Sequence, residues 1–261
     1  MSDPDYMMHD IWSFSRAPTE DWRLYPGRKV LHPHFYDGEY VYSLKPELGV
    51  GEWTLKYHKE IKTIDSVLES LGVPKINDRW AMLVWDHLGA PCQLRALEIT
   101  KVVLVPVILE GFHVVFAGRR ANEWQAGSLA RWEGHRYPTF VAFFDEQQME
   151  LADQAQDRAT GDGHLVRLLE GKVTITGGPQ LKEIYTWLPD NRHGLLLEDD
   201  AVIPLVNYWQ GEIQEKEPKM KRAPITDYVT AEVIPNPQKP PLKYGQNKLD
   251  APSMALPLVG H

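Results

Sequence analysis

The sequence predicts an α+β fold: a strand-rich body with short helices, set between an aromatic-rich leader and a proline-rich arm. Three observations lead there. Apolar runs of strand length recur between about residues 79 and 212 without regular β-α alternation, which argues against a doubly wound parallel sheet. Residues 172–187 (KVTITGGPQLKEIYTW) place two strand-like segments around Gly177 and Gly178, the turn residues of a hairpin. The 20 prolines are unevenly placed and crowd the end of the chain, where periodicity fades.

Taken in order, residues 1–78 form the leader. Trp12, Phe14, Trp22, Tyr25, Phe35, Tyr36, Tyr40 and Tyr42 mix with Pro18, Pro26 and Pro33, too aromatic for disorder and too turn-rich for a long helix. This stretch is expected to lie extended over a surface. Ile61, Ile64, Val67, Leu68 and Leu71 then recur at helical spacing until Gly72 and Pro74 stop them.

Residues 79–212 carry the regular structure. Ala81–Trp85 reads as a buried strand, and Lys101–Leu109 as another, whose Pro106 belongs at an edge or bulge. Phe112–Phe116 alternates, and Thr139–Phe144 is apolar up to Asp145, the expected N-cap of a helix running to Gln156. Residues 213–261 form the arm, with eight of the prolines and a basic cluster at 216–222 (KEPKMKR). A solvated tail is one reading of it. The other is an arm that docks on neighbouring subunits through Tyr228, Val233, Ile234, Leu242, Tyr244, Leu249, Met254 and Leu256, apolar anchors that a purely solvated tail has no use for.

Composition narrows the function. Hydrophobic residues at 43% and charged ones at 25% are globular values. No apolar run reaches membrane-spanning length, so no membrane partner is expected. The acidic start MSDPDYMMHD lacks a basic region followed by an apolar one, so secretion by a signal peptide is not expected. A net charge of −8 argues against nucleic acid as a partner. Cys92 is the single cysteine and reads as a buried thiol. His32 and His34 share one face of an extended segment, yet nothing nearby completes a metal site, and they read as exposed loop histidines. Gly161–His164 lacks the basic residue of a phosphate loop and reads as a loop between helix and strand. Glu198–Asp200 reads as a turn. No cofactor motif appears.

Ordered words of the middle zone resemble the gamma-glutamylcyclotransferase-like superfamily. Leu83–Trp85 stands for its first strand, Val107–Gly118 for the next segment, and Trp124, Gly127, Ser128, Leu129 and Ala130 follow. Phe140–Phe144 leads into Asp145–Asp153, and Val166–Trp187 matches the closing hairpin with Tyr185. The resemblance implies a small mixed β-barrel over residues 79–212 with flanking helices.

It also implies a degenerate pocket. The family's acid/base glutamate, which takes the proton from the α-amino group of a γ-glutamyl substrate, aligns with Gln156, or with Ala155 after a one-residue shift. Neither can shuttle a proton, and loss of a general base costs about 10²–10⁴ in rate. Trp85, Asp86, His87 and Leu88 replace the glycine-containing substrate loop, and Asp86 would repel a substrate carboxylate. Trp85, Asp86, His87, Gln156 and Tyr185 are therefore expected to form a relic pocket. The expected function is that of a non-enzymatic structural subunit of a large assembly. A phage or virus-like particle (capsid or tail) is the preferred setting, and the virion or host cytoplasm the location. The alternative is a cyclotransferase-type enzyme releasing 5-oxoproline, with Glu146 or Glu150 as a displaced acid/base.

Overall fold

The computed structural model describes residues 8–10, 29–47, 49–119, 125–160, 163–175, 180–189, 195–205 and 219–234. Its first strands are β1 (Met8–Asp10), β2 (His34–Tyr36), β3 (Tyr40–Ser43), β4 (Thr54–Tyr57) and β5 (Glu60–Thr63), followed by helix α1 (Ile64–Ser70). Next come β6 (Trp80–Val84), α2 (Pro91–Ala96), β7 (Val102–Arg119), β8 (Gln125–Phe144) and α3 (Glu146–Thr160). The remainder is β9 (Gly163–Leu168), β10 (Lys172–Ile175), β11 (Ile184–Pro189), β12 (Leu195–Glu198), β13 (Ala201–Val202), β14 (Lys221–Ala223) and β15 (Ala231–Val233). The fold is mixed α+β, rich in strands and with few helices.

One ten-stranded sheet organises it, in the order β1-β3-β2-β7-β8-β6-β11-β9-β15, with β10 also on β7. Among the described residues its pairings are antiparallel except β6 with β11, where Met82 lies opposite Tyr185. The centre is the β7–β8 hairpin, with strands of 18 and 20 residues. The two segments expected at 101–109 and 112–116 are thus one strand, bent where the register slips between Glu110 and Phe112. Gly111 sits at that bulge with φ +87°, a conformation glycine adopts without strain.

The sheet is open, which corrects the expected barrel. Its outermost strands, β1 and β15, lie at opposite ends and do not pair with each other. Closure requires edge strands to meet in a fixed stagger. Here each edge is a three-residue strand from near a chain terminus. The hairpin expected over 172–187 is also corrected: β10 pairs with β7, whereas β11 pairs with β6 and β9. A Thr174–Gln180 bridge and the Leu181 N–H to Val173 carbonyl bond are what remain of it, and Gly177 and Gly178 lie outside the described residues.

Pro106 stands in a gap. The outer side of β7 is covered by β2 along Val102–Leu104 and by β10 along Val107–Glu110. A proline has no N–H to offer, and its place between the two partners leaves no donor missing from a ladder.

Both faces of the central sheet are buried, which explains its nearly continuous apolar runs. Ala81, Leu83, Val103, Val105, Val141 and Phe143 face one core, with Trp53, Leu55, Ile64, Val67 and Leu68 from the α1 layer. Met82, Val84, Leu104, Ala142 and Phe144 face the other, with Leu94 of α2 and Met149 and Ala152 of α3. The leader strands β2 and β3 are integral to the sheet. On the C-terminal side, residues 219–234 pack on the body, burying Ile225 and Val229.

Candidate functional site

Strand β6 runs into Trp85 and Asp86, whose chain turns sharply into a 3-10 turn at His87–Gly89 before α2. Asp86 caps that turn, accepting the Leu88 N–H at 3.0 Å through Oδ1. Its other oxygen, Oδ2, accepts the side-chain amide of Gln156, near the C-terminal part of α3. His87 Nδ1 lies 3.6 Å from the same oxygen. All three side chains are nearly inaccessible: Asp86 is 5% exposed, His87 2% and Gln156 1%.

Helix α3 delivers Gln156 because its N-terminus is fixed. Asp145 Oδ1 accepts the Gln148 N–H and Gln148 Oε1 accepts the Asp145 N–H, both at 2.9 Å, a reciprocal capping box. Gln148, Met149, Ala152, Ala155 and Gln156 then form the buried stripe. Glu146 and Glu150 are on the exposed side. The register reaches Asp86 with Gln156, not with Ala155.

A residue absent from the sequence reading joins this cluster. Lys29 donates its ammonium to the Trp85 carbonyl at 3.2 Å and lies 5.5 Å above the Phe140 ring. Burial pushes its pKa down to about 8, and the Asp86 charge opposes that shift. No local pattern marks Lys29; its position depends on the fold.

The other two predicted residues serve the sheet. Trp85 donates its indole N–H to Thr186 Oγ1 at 3.1 Å, and that hydroxyl donates to the Leu83 carbonyl at 2.9 Å. A Cβ at Gly127 would meet the Trp85 ring at 2.8 Å, so glycine is what lets strand and indole approach. Tyr185 belongs to the opposite core, edge-on to Trp80. Its hydroxyl donates to Glu183 at 2.8 Å, and burial followed by the Glu183 contact drives its pKa upward. Asp86, His87 and Gln156 therefore converge, whereas Trp85 and Tyr185 face different sides of the sheet. Their separation follows from strand alternation.

Chemically, the cluster holds one carboxylate whose oxygens are engaged by a backbone N–H and a carboxamide. An amide nitrogen neither accepts nor returns a proton at neutral pH. Among the described residues, no three His, Cys, Asp or Glu side chains form a metal-holding group, and no helix is long and apolar enough to cross a membrane.

The expected exposed histidines are corrected: His34 lies fully buried in β2, its Nδ1 2.8 Å from the His32 carbonyl oxygen, and His32 Nε2 meets Ser43 Oγ at 2.8 Å. His34 pairs with Leu104 of β7, which a loop reading does not anticipate, whereas half-buried His32 lies in the bend before the strand. Cys92 is buried in α2. Asp199 and Asp200 form the β12–β13 turn with positive φ, and Lys221 pairs with Asp200 at 2.6 Å.

In the arm, Tyr228 packs partly against the first core and Ile234 against the second, while Val233 is 52% exposed. Leu242, Tyr244, Leu249, Met254 and Leu256 lie outside the described residues. Arg167 holds the start of the arm, binding Glu232 at 2.6 Å and Glu183 at 3.0 Å.

Compared with known proteins, the chain matches no family model, no curated protein and no solved structure.

Proposed function

We propose that the chain is a non-enzymatic structural subunit of a large assembly, with a degenerate gamma-glutamylcyclotransferase-like body. The carrying observation is the buried contact between the Gln156 amide and the Asp86 carboxylate. The resemblance puts the acid/base group and the substrate's carboxylate at this place, and here two side chains satisfy one another instead. Glu146 and Glu150 are exposed on the outer side of α3, which weighs against their serving as displaced acid/base groups.

The layout supports the assembly half of the proposal. Edge strands β1 and β15 occupy opposite ends of the sheet, and among the described residues no strand lies beyond either. An open edge strand presents unpaired backbone groups that a neighbouring chain can extend, and this sheet has one at each end. A phage or virus-like particle, as capsid or tail, is the setting that this body with two extensions fits.

Two measurements test the halves separately. Native size in source material, with limited proteolysis of residues 235–261, is expected to give a very large particle with a protected arm. A species of 30–60 kDa (about one or two chains) with a freely cleaved arm overturns the assembly. Purified protein is expected to release no 5-oxoproline from γ-glutamyl amines, and release that is lost on Glu146→Gln or Glu150→Gln overturns the non-enzymatic half.

A further inference from the structure

The β7–β8 hairpin carries a row of rings that the relic site does not use. His113 stacks on His135 with centroids 4.4 Å apart, and Trp132 and Tyr137 each lie 5.2 Å from His113. Trp132 is 39% exposed, His135 and Tyr137 are half-buried, and His113 forms the floor. Phe112, next to His113 in the strand, belongs to the first core, against which Tyr137 also packs.

We infer that this ring cluster is a docking surface for the proline-rich segment 235–241 of a second copy of the chain. The inference rests on the assembly reading and names one of its contacts. Clustered aromatic rings are the surface on which polyproline II segments dock, because such segments are already extended and lose little entropy on binding. Residues 235–241 read PNPQKPP, four prolines in seven positions, with Lys239 among them and Lys243 just beyond. The charges on the hairpin suit that segment. Arg131 is paired with Glu170 and Arg136 with Glu110, while Glu133 stands exposed next to Trp132.

The course of the chain selects the second copy. The Arg131 N–H binds the Tyr228 carbonyl at 2.8 Å, so the segment passes the cluster at that point. It then runs antiparallel along β9, Ala231 opposite Leu168 and Val233 opposite Val166, to the Ile234 bond with Leu165. At roughly 3.3 Å per extended residue, Ile234 lies about 20 Å along the chain from the contact with Arg131. The prolines of the same chain thus begin that far from the cluster, whereas those of a neighbour meet no such restriction.

The test places p-benzoylphenylalanine, itself a ring, at position 132 of the full chain and irradiates assemblies reconstituted from mixed ¹⁴N and ¹⁵N protein. Mixed-isotope cross-links from position 132 to residues 235–243 are expected. Their yield should fall at least tenfold when Pro240→Ser and Pro241→Ser are introduced. Same-isotope cross-links alone, cross-links to other segments or other proteins, or none at all overturn the docking surface. Wild-type native size is measured in parallel. A large particle with cross-links elsewhere removes this contact and leaves the assembly standing, whereas absence of a particle removes both. Trp132→Ala gives a second readout by circular dichroism and native size, because a half-exposed ring can be truncated without emptying the core. It should keep the wild-type spectrum and shift the particle toward smaller species, and an unchanged particle overturns the inference.

Discussion

Arg79 and Gln148 meet 3.0 Å apart at the junction of four elements, with the guanidinium wholly buried. Arg79 also donates to the carbonyls of Pro74, Lys101 and Phe143, and lies 3.7 Å from Asp145. One side chain thus joins the entry to β6, the start of β7, the end of β8 and the cap of α3. Burial lowers its pKa to about 10, which leaves it charged at neutral pH.

Removing that cation strands the buried Phe143 carbonyl and Gln148 side chain and leaves the mostly buried Asp145 carboxylate without its counter-charge. Arg79→Ala should destabilise the fold by about 3–5 kcal/mol, read from urea unfolding. Gln148→Ala removes fewer partners and should cost about 1–3 kcal/mol. Equal, small effects from both would mean that the junction is held elsewhere.

Gln156→Glu sets a second carboxyl against Asp86 in a buried place. Like charges at contact raise the pKa of the pair above the ordinary carboxylate range. A raised folded-state pKa contributes stability below the unfolded value of about 4 that is lost as pH rises through the folded one. The variant should therefore approach wild-type melting temperature near pH 4 and fall progressively behind toward pH 8. A constant offset across that range would contradict the contact.

Lys29 should titrate near pH 8 by ¹³C NMR of its Cε, well below the exposed lysines. Asp86→Asn removes the charge that opposes the shift and should move the midpoint lower still. An upward movement would place the ammonium away from Asp86.

His113 carries a pH dependence of its own. Burial lowers its pKa from 6.5, the Nδ1 bond to the Val114 carbonyl at 2.8 Å opposes this, and the stacked His135 adds to it. With the folded-state value depressed, the unfolded chain binds the proton first. Stability is full above about 6.5 and falls as pH drops through the folded value. Melting curves from pH 8 to 5 should show that loss, and His113→Gln should shrink it.

Much of this architecture is legible locally. Thr63 caps α1, accepting the Ser66 N–H at 3.3 Å, and the chain leaves the helix at Gly72 with φ +69°. Asp145 and Gln148 likewise sit at capping-box spacing. The start of α1 misleads, because Ile61 matches the helical period yet lies 62% exposed in β5. The turn before it is made by His58 and Lys59 at positive φ, residues that carry none of the usual glycine or asparagine signal. What stays hidden is long-range. Arg79 reads as an ordinary charge before an apolar run, and Lys29 has no motif. Asp86 meets Gln156 only because β6 and α3 pack side by side, and the ring cluster needs both strands of the hairpin.

The order of strands has a kinetic consequence. The central hairpin is local in sequence, so it closes at small entropic cost, whereas β11 returns to β6 across about 100 residues and β15 to β9 across about 65. Elements at the rim of a sheet open with less free energy than its middle. Detachment of Met8–Asp10 or Ala231–Val233 therefore leaves the two cores closed, and a terminal segment can change partners while the body remains folded.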